Sequence, residues 1–393
     1  MNDQMHSGIA EAMRLTRQGR LDEATAAVQR ALGGTFVPTK QPGGSDDGPI
    51  DVTSRVVRKT QRGPAKAGRA TSRRPNVATR TVPQPHLLTR GVERPAERGV
   101  PESERGRFVD RTHTNGAGTR SYKLYVPSGY AGQAVPLIVM LHGCAQNPDD
   151  FAAGTHMNGL AEEHTFLVAY PAQSGNANMQ KCWNWFQASD QQRGRGEPSI
   201  IAGITRQVMD DYRVAEGQVY VAGMSAGGAM AAILGASYPD LYAAVGVHSG
   251  LAPGSAHDLS SAFKAMRQGG PVVAQPENTG EGRKIVPTIV FHGDGDTSVH
   301  PRNGDRLLAH LDAGSRSGLS VRTTSRRGRA SGGYEYTRFT YKSADGRELA
   351  ERWSVHGLGH AWSGGSYPDS YTDPKGPDAS AEMVRFFRQH QMP

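Results

Sequence analysis

The sequence predicts an α/β protein whose mostly parallel sheet is covered by helices on both faces. Two observations carry that class. From Phe108 onward, unbroken apolar runs of strand length recur along the chain, and segments of helical periodicity separate them. Strands buried on both faces read as continuous hydrophobic runs, and parallel neighbours need helical crossovers. Earlier in the chain the texture differs. Ile9, Met13 and Leu15, then Leu21, Ala24, Val28 and Leu32, recur at helical spacing on either side of Gln18, Gly19 and Arg20, which predicts a short helical hairpin over residues 1–34. Residues 35–106 are rich in Gly, Pro, Ser, Thr and Arg without sustained periodicity. They predict a disordered basic linker, because such a stretch buries too little apolar surface to offset its ordering entropy.

The remaining residues, 107–393, form the predicted α/β domain. Strands are expected near 120–126, 136–141, 166–170, 218–222, 242–247 and 285–291, with a further one ending about Trp353. Helices are expected near 151–164, 200–212, 226–238, 302–311 and 379–390. No internal repeat is visible.

Composition narrows the function classes. Only 36% of the 393 residues are hydrophobic, and no apolar run approaches the ~18–20 residues of a membrane span. The N-terminus shows no basic-then-apolar leader. Two cysteines exclude a disulfide-dense scaffold and a four-thiolate zinc site. The net charge of +8 is local: residues 51–108 hold 14 Lys and Arg against 5 Asp and Glu, leaving 31 against 32 elsewhere. A binding protein that uses this segment on a polyanion is therefore a second class of reading, although a solvated tether accounts for the same charge.

The sharpest motif is Gly223-Met-Ser225-Ala-Gly227, between an apolar strand and a helical segment. A serine on a tight strand-to-helix turn needs small neighbours, and a helix beginning there aims free amides at a developing oxyanion. Ser225 is accordingly the candidate nucleophile, with helix capping as its plainer role. A base and an orienting carboxylate should follow it in the chain. The loop after the strand at 285–291 supplies Asp294 and Asp296; Asp296 lies far enough along to reach a histidine, while Asp294 can hold the turn. The Gly-rich run from Trp353 to Gly365 supplies His356 and His360. His360 is the candidate base, since an imidazole of ordinary pKa ~6.5 exchanges a proton near neutrality, and His356 is expected to be buried or supporting.

The oxyanion hole is expected from amides around Cys144, in Leu141-His-Gly-Cys-Ala-Gln146, together with the Ala226 amide. A bridge between Cys144 and Cys182 would stiffen that loop and imply an oxidising compartment; two free buried thiols are the alternative. All four tryptophans, Trp183, Trp185, Trp353 and Trp362, fall in two motif regions. Trp183, Trp185 and Trp362 are expected to wall an apolar substrate cleft.

Taken together, LHGCAQ, CWNWF, AGMSAGGAMA, HGDGDTSVHPRNG and GLGHAWSGG with SYTDPKGPDAS resemble the polyhydroxybutyrate depolymerase family of esterases over roughly residues 107–393. The resemblance implies an α/β-hydrolase fold and a Ser225, Asp296, His360 triad with Cys144 in the oxyanion loop. It implies ester or polyester substrates of the short-chain hydroxyalkanoate type, and no metal or other cofactor. Feruloyl and acetylxylan esterases are related, so those substrates are the alternative. Extracellular action is implied by the family, whereas the absence of a visible leader points to the cytoplasm. The basic linker is expected to offer contacts to an acidic surface; nucleic acid is not an expected partner.

Overall fold

The computed structural model describes residues 106–271, 285–312, 320–366 and 371–392. These belong to the compact unit Gly91–Pro393. The hairpin expected over 1–34 and the linker expected over 35–106, apart from Gly106, lie outside the described residues.

Ten strands form one sheet: β1 (Arg107–Asn115), β2 (Gly118–Val126), β3 (Val135–Leu141), β4 (Leu167–Pro171), β5 (Val214–Met224), β6 (Ala244–His248), β7 (Thr288–Gly293), β8 (Val321–Arg329), β9 (Glu335–Ser343) and β10 (Glu348–Val355). Their order is β1-β2-β4-β3-β5-β6-β7-β10-β9-β8. The six central strands, β4 to β10 in that order, are parallel; antiparallel hairpins extend the sheet at both sides. A short parallel pair, β11 (Trp362–Ser363) and β12 (Thr372–Asp373), follows β10.

The alternation of side chains along each central strand builds two cores. In β3, Leu137, Val139 and Leu141 enter one cluster while Ile138 and Met140 enter the other. The first core is closed by α3 (Gly196–Asp211), α4 (Ala226–Ser237), α5 (Leu259–Gln268) and α6 (Arg302–Asp312). The second is closed by α1 (Pro148–Thr155), α2 (Met157–His164) and α7 (Ala379–Phe387). Each fully buried Leu, Ile or Phe contributes ~1.5–3 kcal/mol, so both faces of the parallel strands are held chiefly by burial. Among the described residues no helix is long and apolar enough to cross a membrane.

The single helix expected over 151–164 is two helices. His156 takes a left-handed φ of 56° and ends α1, whose start is capped by the Asn147 side chain accepting from the Asp150 amide. Strands β1, β8 and β9 and helix α5 were not foreseen. β8, VRTTSRRGR, is almost wholly exposed and so carries no apolar alternation. α5 begins at a reciprocal capping box between Asp258 and Ser261, which lies ahead of a short amphipathic run.

Candidate active site

Parallel strands deliver their following loops to one edge of the sheet, which is where open α/β sheets keep their sites. Ser225 follows β5, His248 ends β6, Asp296 follows β7 and His360 follows β10, on four strands adjacent in the sheet.

Ser225 sits on a strained turn, φ 55° and ψ −119°, between β5 and α4. From Val219 to Ala231 it is the one residue that is not buried. The turn is possible because its neighbours lack side chains: a Cβ on Gly227 would stand 2.0 Å from the Leu141 carbonyl oxygen. Strain of this kind persists only where the surroundings over-determine it. Here the Ser225 amide donates to the His248 carbonyl at 2.9 Å. The first amides of α4, Ala226 included, have no acceptor within the helix.

The residue before Cys144 abuts this turn: a Cβ on Gly143 would lie 3.6 Å from the Ser225 Cβ. The Gly143 amide donates to Gln146 Oε1 at 2.9 Å. His142 Nδ1 donates to the Gly143 carbonyl at 2.8 Å while its Nε2 accepts from the Gln173 amide at 3.1 Å. Burial, outweighing the bond to Gly143, pushes His142 down to about 4 and keeps it neutral in that tautomer. Cys144 and Cys182 are joined by a disulfide, and the Ala145 amide donates to the Gln180 carbonyl at 2.7 Å. Behind them the buried Glu197 carboxylate accepts from the Asn184 amide at 2.7 Å and its side-chain amide at 2.9 Å, and bonds Gln173 and Arg120. The loop facing Ser225 is thus tied covalently and through a carboxylate hub.

His360 Nδ1 donates to Asp296 Oδ2 at 2.7 Å; the His360 side chain is 14% exposed and that of Asp296 is fully buried. Asp296 Oδ1 accepts from the Ser298 and Val299 amides at 2.9 and 2.8 Å, and His292 Nε2 lies 3.4 Å from Oδ2. Burial alone would raise this carboxyl, but the bonds from His292, His360 and the Val299 amide hold it well below the usual carboxylate range. With its Nδ1 proton engaged, His360 keeps a lone pair on Nε2, as a base requires.

His248, which the sequence reading passed over, links the two halves. Its carbonyl holds the Ser225 amide, and its Nε2 accepts from the Ser363 amide at 3.0 Å, three residues past His360. The ring stacks on Phe291 and Trp362 with centroids 5.9 and 5.0 Å apart. Burial first, then the neighbouring His292 and His360, push it down to about 3. Its place at the end of an apolar strand, in Val-His-Ser-Gly, was the available signal.

The expectation for the tryptophans needs correction. Trp183, Trp185 and Trp362 are 0, 5 and 1% exposed and belong to the core, so they do not wall an open cleft. They pack beneath the loops: Trp183 lies against His142, and Trp362 is wedged between His248 and Phe151 with its indole N–H donating to Ser380 Oγ. The aromatic exposed beside His360 is Tyr371, with ring centroids 6.5 Å apart. A cavity of about 570 Å³ adjoins Asp296, lined by residues that include Arg267, Asp294, Thr297 and His300. Among the described residues no group of three or more His, Cys, Asp or Glu side chains is arranged to hold a metal ion.

Comparison with known proteins bears on the family and the fold. The sequence profile of a family described as Esterase PHB depolymerase matches residues 120–330. A poly(3-hydroxyalkanoate) depolymerase C of Paucimonas lemoignei is 32% identical over 263 residues, 64% of this chain and 60% of that protein. A probable acetylxylan esterase A of Aspergillus clavatus is 30% identical over 193 residues, 46% of this chain and 61% of that protein. The chain thus spans about 60% of the length of these relatives. The solved acetyl xylan esterase from Aspergillus awamori superposes with a TM-score of 0.54 at 20% identity, over 72% of this chain and 100% of that one, and shares its α/β-hydrolase fold.

Proposed function

The chain belongs to the esterase PHB depolymerase family, and from that footing we propose that it is a serine carboxylester hydrolase working through an acyl-enzyme. The substrates proposed are poly(3-hydroxybutyrate) or short-chain hydroxyalkanoate esters. The observation that carries this reading is the buried Asp296–His360 hydrogen bond on the sheet edge that also bears Ser225 on its strained turn.

In this reading Ser225 Oγ attacks the ester carbonyl carbon while His360 Nε2 takes its proton. Asp296, held ionised by its donors, fixes the imidazole in the tautomer that leaves Nε2 free and stabilises the imidazolium once formed. The Ala226 and Cys144 amides receive the oxyanion, the Gly143 and Ala145 amides beside Cys144 being bonded to Gln146 Oε1 and the Gln180 carbonyl; such a donor contributes ~3–4 kcal/mol in comparable sites. The tetrahedral adduct collapses, the C–O bond to the alcohol breaks, and His360 returns the proton to the departing oxygen. Water then enters; His360 takes its proton as the water oxygen bonds to the acyl carbon, the bond from that carbon to Ser225 Oγ breaks, and His360 returns the proton to Ser225 Oγ as the acid leaves.

The test is hydrolysis of p-nitrophenyl butyrate by Ser225→Ala. The expected result is loss of activity with thermal unfolding unchanged; full activity would overturn the assignment. The acetylxylan esterase relative supports a second substrate reading. Polyhydroxybutyrate film, soluble hydroxybutyrate oligomers, acetylated xylan and feruloyl esters, assayed side by side, separate the two. We also propose that the basic linker, residues 35–106, meets an acidic surface, which predicts salt-sensitive retention on an anionic resin that is lost when residues 35–105 are deleted.

A further inference from the structure

A second aspartate–histidine pair lies on the two loops that carry the first. β7 and β10 are parallel neighbours, with Gly293 opposite Val355 at their ends. Asp294 and His356 are therefore the first residues beyond each strand. His356 Nδ1 bonds Asp294 Oδ2 at 2.8 Å, and the Gly357 amide donates to Asp294 Oδ1 at 2.6 Å. The row continues on the other side of the ring, where His356 Nε2 bonds Thr337 Oγ1 on β9 at 2.9 Å. The His356 amide also donates to the Glu335 carbonyl at 2.8 Å.

Backbone bonds run beside this row. The Asp294 amide donates to the Val355 carbonyl and the Gly295 amide to the Leu358 carbonyl, both at 3.1 Å. The loops are pressed so closely that a Cβ on Gly293 would stand 2.1 Å from the Leu358 carbonyl oxygen. Two residues beyond Asp294 comes Asp296; four beyond His356 comes His360. The side chains of Asp294 and His356 are 46 and 40% exposed. A pair so exposed adds only ~0–1 kcal/mol to stability, so stabilisation is a poor account of five bonds converging here. What they do fix is the separation and twist of the two loops.

We propose that Asp294 and His356, backed by Thr337, are positioning residues that hold the Asp296 and His360 loops in register. Asp296 then meets His360 Nδ1 without adjustment at each turnover. The inference rests on the hydrolase reading above. It gives both loops a reason for their composition: in HGDGD and HGLGH the first acid of one meets the first histidine of the other, and the second meets the second. Displacements near 1 Å at a reacting group cost up to ~100-fold in rate, which sets the scale of the effect.

The test is steady-state hydrolysis of p-nitrophenyl butyrate by Asp294→Ala, His356→Ala, Asp294→Asn and Thr337→Val, each with a pH profile and a melting curve. Asp294→Ala and His356→Ala are expected to lower kcat about 10–100-fold at unchanged KM. The acid limb of kcat/KM should move to lower pH, because a carboxylate less well placed stabilises the imidazolium less. The double alanine variant should lose little more than either single one. Asp294→Asn, which keeps an acceptor, should recover part of the rate, and Thr337→Val should show a smaller loss of the same kind. Parental kcat and pH profile in Asp294→Ala and His356→Ala would overturn the proposal, as would a loss confined to KM. Should either alanine variant fail to fold, Asp294→Asn and Thr337→Val decide by the same readouts. If Ser225→Ala is inactive and these variants are unaffected, this inference alone fails; if Ser225→Ala is active, the hydrolase reading fails with it.

Discussion

Removing the bridge between Cys144 and Cys182, by Cys144→Ala with Cys182→Ala, tests how the loop beside Ser225 is held. The cysteines stand 38 residues apart. Closing a loop of that length withdraws about 13 cal/mol/K from the unfolded chain, or about 4 kcal/mol at 25 °C. Domains of this kind have net stabilities of only ~5–15 kcal/mol, so the loss should be large. With an unfolding entropy of ~2.1 cal/mol/K per residue over roughly 290 residues, it corresponds to a fall of about 7 °C in Tm. The folded loop has other ties, namely the Ala145–Gln180 backbone bond and the Glu197 hub under Asn184 and Gln173. Kinetics measured where the variant is still folded should therefore change little. The assay is urea unfolding followed by tryptophan fluorescence, with p-nitrophenyl butyrate turnover at 25 °C on the same samples. A stability loss under about 1 kcal/mol would refute the loop-closure reasoning. A collapse of kcat in a variant of parental stability would show instead that the bridge acts on the folded loop.

Two further outcomes follow from the buried side chains. Asp296→Asn should lower kcat by roughly 10³–10⁴ with a modest change in KM, since it disturbs the tautomer of His360; near-parental kcat would remove Asp296 from the reaction. His142 and His248 are held to about 4 and about 3 in the fold, below the ~6.5 of an unfolded histidine. The unfolded chain therefore binds more protons under pH 6.5, so the stability these neutral rings contribute is complete above that pH and is lost as pH falls. By pH 4 each should have cost about 3 kcal/mol; a Tm that rises between pH 6.5 and 4.5 would contradict their neutral burial.

The innermost strands were legible because burial on both faces makes them nearly continuous apolar runs, as in Leu137 to Leu141 and Val219 to Ala222. Ser225 was legible for a steric reason, the pair of glycines its turn demands. Asp296 and His360 followed from chain order and from the loops that strand ends create. The sequence could not show what depends on contacts between distant segments. Tryptophan clustering near motifs reads the same whether the rings face a cleft or support the loops from below, and packing against His142 and His248 chose the latter. The Asp294–His356 row is invisible until β7 and β10 are known to be neighbours. β8 escaped notice because an exposed, arginine-rich edge carries no hydrophobic period. Likewise His248 looked like one more strand residue until its carbonyl was found on the Ser225 amide and its ring on the Ser363 amide.

The nucleophile can be tested directly by treating the protein with a fluorophosphonate, digesting it and locating the adduct by mass spectrometry, with His360→Ala treated in parallel. The expected result is one stoichiometric adduct on Ser225, formed rapidly in the parent and far more slowly without His360. Adduct on another serine, or equal labelling rates in the two proteins, would contradict a hydroxyl activated by that imidazole.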